Sequence, residues 1–138
     1  MQTWMIFALL SAVFAALVGI FGKVGLKDLD TTLATAVRAV IMAGFLVLMA
    51  LSLGKWDIIA SIQGKPLLFI ALSGIAGALS WLAYFAALKL GPASGVAALD
   101  RLSVVFVLIF AVAFLAETLT WKNALGAVLI TGGALLML

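Results

Sequence analysis

The chain has 138 residues, of which 67% are hydrophobic and only 9% charged, with a formal charge of +3 from eight Lys/Arg and five Asp/Glu. Soluble domains are roughly half apolar and about a quarter charged, and a chain this short cannot bury so much apolar surface in water, so a soluble domain, a disordered chain and a nucleic-acid module are excluded. With no Cys and no His, disulfides, thiol catalysis, Cys/His metal sites and imidazole proton shuttling are excluded as well, and neither metal nor cofactor is expected.

A bilayer core is about 30 Å thick and needs about 20 apolar residues per spanning helix. Five stretches qualify, so the expected fold is an all-α membrane protein in which residues 1–138 form one five-span domain. The first span runs from about Thr3 to Gly22. The second runs from Thr31 to Leu53 and contains Arg38. The third, Leu67 to Leu88, has no charge. The fourth, Ala93 to Ala116, contains Asp100 and Arg101, and the fifth runs from Thr120 to Leu138. A β-barrel would show period-two alternation, which the run from Val104 to Phe110 lacks. The connections are short and carry the turn signals. Trp4, Trp56 and Trp121 fall near span ends, where interfacial aromatics belong. The first span lacks a basic leader and a small-residue cleavage site, so it is expected to be retained.

Five spans put the termini on opposite sides, here A (N-terminal) and B. Lys55, Lys65 and Lys122 flank side A, and Lys23, Lys27 and Lys89 flank side B. Arg38 and Arg101 lie nearer side B. The positive-inside rule therefore gives only a weak preference. Insertion in both orientations and a small missed bias are both consistent with that count.

From the third span onward the motifs are specific in order and spacing. They are the stretch from Ser80 to Ser94, SWLAYFAALKLGPAS, then Val96 to Phe106, VAALDRLSVVF, then Phe114-Leu115-Ala116-Glu117, then Leu125 to Gly133, LGAVLITGG. With Arg38 early in the second span, this order resembles the EamA family of the drug/metabolite transporter superfamily. Two positions depart from the pattern. Many relatives have proline where this chain has Val104, and glycine where it has Ala116. Larger relatives have ten spans as two inverted five-span repeats. The resemblance thus implies that this chain is one half of an inverted-repeat transporter, completed by an antiparallel homodimer. The balanced lysine count agrees independently, and inverted repeats around a midplane site are a general transporter plan.

Charges at membrane depth cost roughly 2.5–3.5 kcal/mol each, so they need a reason. Arg38 lies seven residues from Thr31, and Asp100 seven from Ala93. Both are about 10 Å below side B at 1.5 Å per residue. Tyr84, Trp81 and Ser80 lie four, seven and eight residues from the side-B end of the third span. Arg38, Ser80, Trp81, Tyr84, Asp100 and Arg101 therefore form the candidate solute site. The small and polar stripe Ser73, Gly77, Ser80 and Tyr84 marks one face of the third span, and Thr31, Thr35 and Arg38 one face of the second. A surplus positive charge suits a carboxylate or zwitterion. The structural alternatives are arginines that snorkel to headgroups and an Arg38–Asp100 pair that only sets helix register. Trp81 and Tyr84 serve equally well as packing, and Ser80 as a helix-to-helix hydrogen bond. Glu117 is a family mark at a helix end and a candidate for proton coupling. Gly126 and Gly133, seven apart, place small residues on one face, suited to a protomer contact or to close packing within the chain. Gly74 and Gly77 likewise permit contact within the bundle.

Catalysis is not expected, since nothing resembles paired carboxylates or an activated nucleophile. The expected function is a secondary transporter, in the inner cell membrane, that moves a small polar or amphipathic metabolite outward by alternating access. The expected partners are the lipid bilayer, the solute and a second copy, with no nucleic acid. The alternative is a non-transporting membrane subunit, or a half-transporter that needs a related chain.

Overall fold

The structure, a computed structural model, describes residues 2–138. Among them are six α-helices: α1 (Thr3–Gly25), α2 (Thr31–Ser52), α3 (Lys65–Leu90), α4 (Ala93–Asp100), α5 (Ser103–Leu115) and α6 (Trp121–Leu136). A short 3₁₀ turn, Trp56–Ser61, lies between α2 and α3. No strand occurs among the described residues.

Each boundary has a local cause. The Asp30 carboxylate accepts from the Leu33 N–H at 2.8 Å and starts α2. The Thr120 hydroxyl accepts from the Asn123 N–H at 3.2 Å and starts α6. Both satisfy donors that a helix start leaves open. Pro66 sits in the first turn of α3, where its missing N–H removes no helical bond. Gly54 and Gly64 take φ of 62° and 66° at the two ends of the segment between α2 and α3, a region that glycine enters without a Cβ clash.

Among the described residues four stretches are long and apolar enough to cross a bilayer: α1, α2, α3 and the continuous run Ala93–Leu115 that α4 and α5 share. The fifth expected span forms a 16-residue helix, about 24 Å long at 1.5 Å per residue and so shorter than the apolar core.

The expected fourth span is not one uninterrupted helix. At Arg101 and Leu102 the hydrogen bonding tightens. The Arg101 N–H is shared between the carbonyls of Ala97 (3.3 Å) and Ala98 (3.2 Å), and Leu102 donates to Leu99 at 2.9 Å. Val104 then donates to Arg101 at 3.1 Å. The backbone stays right-handed, with φ/ψ of −67°/−13° and −62°/−16° at Arg101 and Leu102. This is a 3₁₀ turn inside a spanning segment. The tightened bonding runs on through Val104 and through Val105, which donates to Leu102 at 2.9 Å; Val104 is the position where many relatives carry proline.

The end of α5 explains the other departure. Ala116 sits at φ 54°, ψ 29°, in the left-handed region, and its N–H turns back to the Ala111 carbonyl. The Glu117 N–H donates to the same carbonyl at 3.2 Å. Such a cap favours glycine, because a Cβ there costs about 1–2 kcal/mol. Glycine's greater freedom in the unfolded chain offsets part of that gain. Ala116→Gly is expected to stabilise the protein by about 0.5–1 kcal/mol, read as a higher thermal midpoint in detergent.

The chain divides into two compact units, one made of the residues up to Lys23 together with Leu90–Leu138, the other of Val24–Lys89. In the first unit α6 packs on α4 and α5. Gly95 is buried, and a Cβ there would lie 3.7 Å from the Leu138 side chain. The Lys23 ammonium donates to the Gly91 carbonyl at 2.8 Å, holding the end of α1 to the turn before α4. On α5, Phe106, Phe110 and Phe114 form an aromatic ladder with centroids 6.5 and 6.1 Å apart. Phe114 is 80% exposed, as suits a face toward lipid.

In the second unit, α2 and α3 meet at their side-B ends. Leu26, Thr35, Phe85 and Leu88 are buried there, and the Lys89 ammonium donates to the Leu29 carbonyl at 2.7 Å. Farther toward side A neither helix buries a residue, and a groove opens between them.

Candidate functional site

The groove owes its existence to small side chains. Ala36, Ala39 and Ala43 lie along the α2 wall, and Gly74, Gly77 and Ala78 along the α3 wall. A Cβ added at Gly74 or Gly77 would meet nothing within 4 Å. These glycines do not bring helices into contact, as their spacing suggests; they leave space. The cavity is about 550 Å³, within the range of small-molecule sites.

Its two ends differ. Thr32, Thr35 and Arg38 lie toward side B, whereas Met42 and Leu46 lie deeper. Thr35 is buried, and its hydroxyl donates to the Thr31 carbonyl at 2.7 Å. Arg38 is half-buried, and its guanidinium carbon lies 3.6 Å from the centroid of the Trp81 ring and 5.7 Å from that of Phe85. A cation over an indole face gains about 2 kcal/mol when desolvated. The indole is itself fixed. It meets Tyr84 edge-to-face at 5.4 Å and Phe85 at 5.8 Å, with interplanar angles of 77° and 88°. Phe85 is 4% exposed, so a buried ring anchors the indole and the indole anchors the cation.

Of the sequence-predicted residues, Arg38, Trp81 and Tyr84 thus come together in the second unit. Ser80 lies on an exposed part of α3 and is not among the residues lining the groove. Asp100 and Arg101 belong to the first unit, where Asp100 ends α4 and Arg101 lies in the 3₁₀ break; both are exposed. Glu117 lies past the end of α5, in the segment before α6. A Cβ at Gly126 or Gly133 would meet nothing within 4 Å outside its own helix, so no close approach within the chain calls for glycine there. The sequence reading missed Phe85 as the second ring beside Arg38. Its spacing of four from Trp81 on one helix was the available signal.

A smaller hollow of about 310 Å³ between α5 and α6 is lined by Leu108, Ile109, Val112, Leu119, Ala124 and Ala127. It offers no group that would orient a polar solute.

The order of motifs along the helices and the cationic head of the groove lead to one comparison. Residues 2–138 match the EamA-like transporter family. The chain belongs to that family. It is also 48% identical over 136 residues to a Sinorhizobium sp. protein described as "Uncharacterized transporter in cobO 3'region", a match covering 99% of this chain and 96% of the relative. No solved structure matches the chain. The resemblance read from the third-span and fourth-span motifs therefore holds over nearly the full length of this EamA-family protein, a multi-pass membrane protein with several apolar helices.

Proposed function

We propose that this protein is a secondary transporter of a small polar or amphipathic metabolite, working outward across the inner cell membrane. It acts as an antiparallel homodimer with alternating access, in which two five-span copies rebuild an inverted-repeat fold and α6 is the fifth span. The observation that carries the transport reading is Arg38, held over the Trp81 ring at membrane depth, at the head of a cavity of about 550 Å³. Intramembrane ionisable groups are costly and are retained for function.

Three observations support the pairing. The flanking lysines balance three against three. Asp100 and Arg101 are exposed on the single chain although they lie within the apolar stretch Ala93–Leu115, so something beyond lipid tails must meet them. The glycines at 126 and 133 leave open space on α6, which suits a close helix contact with a second copy. The 3₁₀ turn beside Asp100 also fits the interrupted helices on which transporters build their sites.

Topology mapping of both termini, combined with crosslinking through cysteines introduced at positions 126 and 133, tests this. Both termini are expected on both sides of the membrane, with crosslinks between oppositely oriented copies. In reconstituted vesicles Asp100→Ala is expected to abolish flux without loss of the folded dimer. Crosslinks between parallel copies alone would overturn the antiparallel assembly. Intact flux in Asp100→Ala with a destabilised fold would favour a register role, and an inactive monomer would favour a half-transporter that needs a related chain.

A further inference from the structure

We infer that the groove between α2 and α3 selects a solute with a single negative charge and an apolar body, its oxyanion head bound at Arg38 and its body lying along the Ala/Gly walls toward side A. This rests on the transporter reading above and names the solute class for that site.

The charge follows from what lines the groove. Among the described residues that line the groove, Arg38 is the one charged residue and none is an acid. A dianion would leave one charge uncompensated away from water, and a cation would meet like charge; both are costly there. The lining also offers no carboxylate for the ammonium of a zwitterion.

The geometry of the stack decides how the head binds. The Arg38 guanidinium carbon lies 3.6 Å from the indole centroid, a separation that has room for the planar group stacked on the ring but not for one of its N–H edges pointing into it, so we take the ring to cover one face of the guanidinium. The N–H donors of a guanidinium lie in its plane and point outward from its edge. Stacking therefore leaves the edge able to make two parallel bonds to an oxyanion. The Trp81 indole acts as a positioning residue, since it fixes the plane in which those donors point. Tyr84 and Phe85 in turn fix the indole.

The body follows from the distribution of side chains. From Arg38 to Leu46 the α2 wall extends about 12 Å at 1.5 Å per residue, and beyond Arg38 its lining residues are Ala39, Met42, Ala43 and Leu46. The opposite wall at Gly74, Gly77 and Ala78 offers no polar side chain. An ion without an apolar body would leave this stretch unfilled. Each buried methylene adds about 0.8 kcal/mol, so a short alkyl tail raises affinity by tenfold or more.

The test uses the protein in phosphatidylcholine nanodiscs, with binding followed by tryptophan fluorescence and empty nanodiscs as the partition control. The probes are hexanoate, acetate as the head alone, hexylamine as the matched cation and norleucine as the matched zwitterion. Hexanoate is expected to bind about tenfold or more tighter than acetate, with hexylamine and norleucine weaker than hexanoate. Arg38→Lys, which keeps the charge and loses the fork, is expected to weaken hexanoate about tenfold. Gly77→Leu fills the groove below the head and is expected to bring hexanoate down to the level of acetate. Ala43→Leu on the opposite wall gives the same result independently. Tighter binding of hexylamine or norleucine, or an unchanged hexanoate-to-acetate ratio in both filled variants, would overturn the assignment. Displacement of hexanoate by added phosphatidylglycerol, with a lipid retained in the native mass spectrum, would overturn it in favour of a lipid site. Hexanoate binding without flux in vesicles would sink the transporter reading and leave the groove assignment standing; flux of a cation without hexanoate binding would do the reverse.

Discussion

Arg38→Met is expected to lower solute flux at least about 100-fold while leaving the inserted, folded protein at least as abundant and as heat-stable as before. Two charge-assisted hydrogen bonds to a bound anion are together worth about 3 kcal/mol, which sets that factor. The stability side has the opposite sign. An arginine in a spanning helix costs about 2.5–3.5 kcal/mol to insert at the bilayer centre. The stack on Trp81, with the guanidinium carbon 3.6 Å from the ring centroid, returns about 2 kcal/mol of that. Methionine removes both terms and leaves an unbranched apolar chain in a groove lined by Ala39, Met42 and Ala43. The measurements are flux in reconstituted vesicles and the thermal midpoint in detergent. A midpoint that falls in step with flux would mean that Arg38 holds α2 and α3 in register and has no solute role.

Trp81→Ala is expected to cause the largest loss of stability, about 3 kcal/mol. The indole makes two edge-to-face contacts, with Tyr84 and Phe85, each worth about 0.5–1.5 kcal/mol. It also carries the cation of Arg38, worth about 2 kcal/mol. The loss stays below the upper range for an aromatic in a water-soluble core, because helices in lipid lack a hydrophobic drive toward each other. Trp81→Phe keeps a ring face and should recover about half of the loss. In a double-mutant cycle of Arg38→Met and Trp81→Ala, a coupling of about 1–2 kcal/mol isolates the stack. Unfolding in mixed micelles reads all four proteins. Additive single effects would show that the two side chains are neighbours without being partners.

Most of the fold was legible because the bilayer leaves few options. An apolar run of about 20 residues must satisfy its backbone internally, and a helix does so. The starts of α2 and α6 were equally local, since Asp30 and Thr120 cap the turns that follow them. The break at Arg101 and Leu102 was not legible, because this chain lacks the proline that marks that region in relatives. Ala116 shows the reverse case. The sequence displayed a missing glycine, and the left-handed φ of 54° supplies the reason glycine suits that position.

For the site, the sequence by itself settled which residue types are costly in the membrane and how deep they lie, because depth along a helix is residue count times rise. Arg38, Trp81 and Tyr84 were placed in one layer on that basis alone. Only the tertiary structure decided that the guanidinium of one helix lies on the indole of another, and that the buried ring of Phe85 stands behind it. It also decided that the glycines of α3 open a space instead of closing one. Periodicity reports the face on which a side chain stands. Whether that face meets a neighbouring helix or an empty groove depends on how far apart the two helices are held, and no single helix carries that distance in its own sequence.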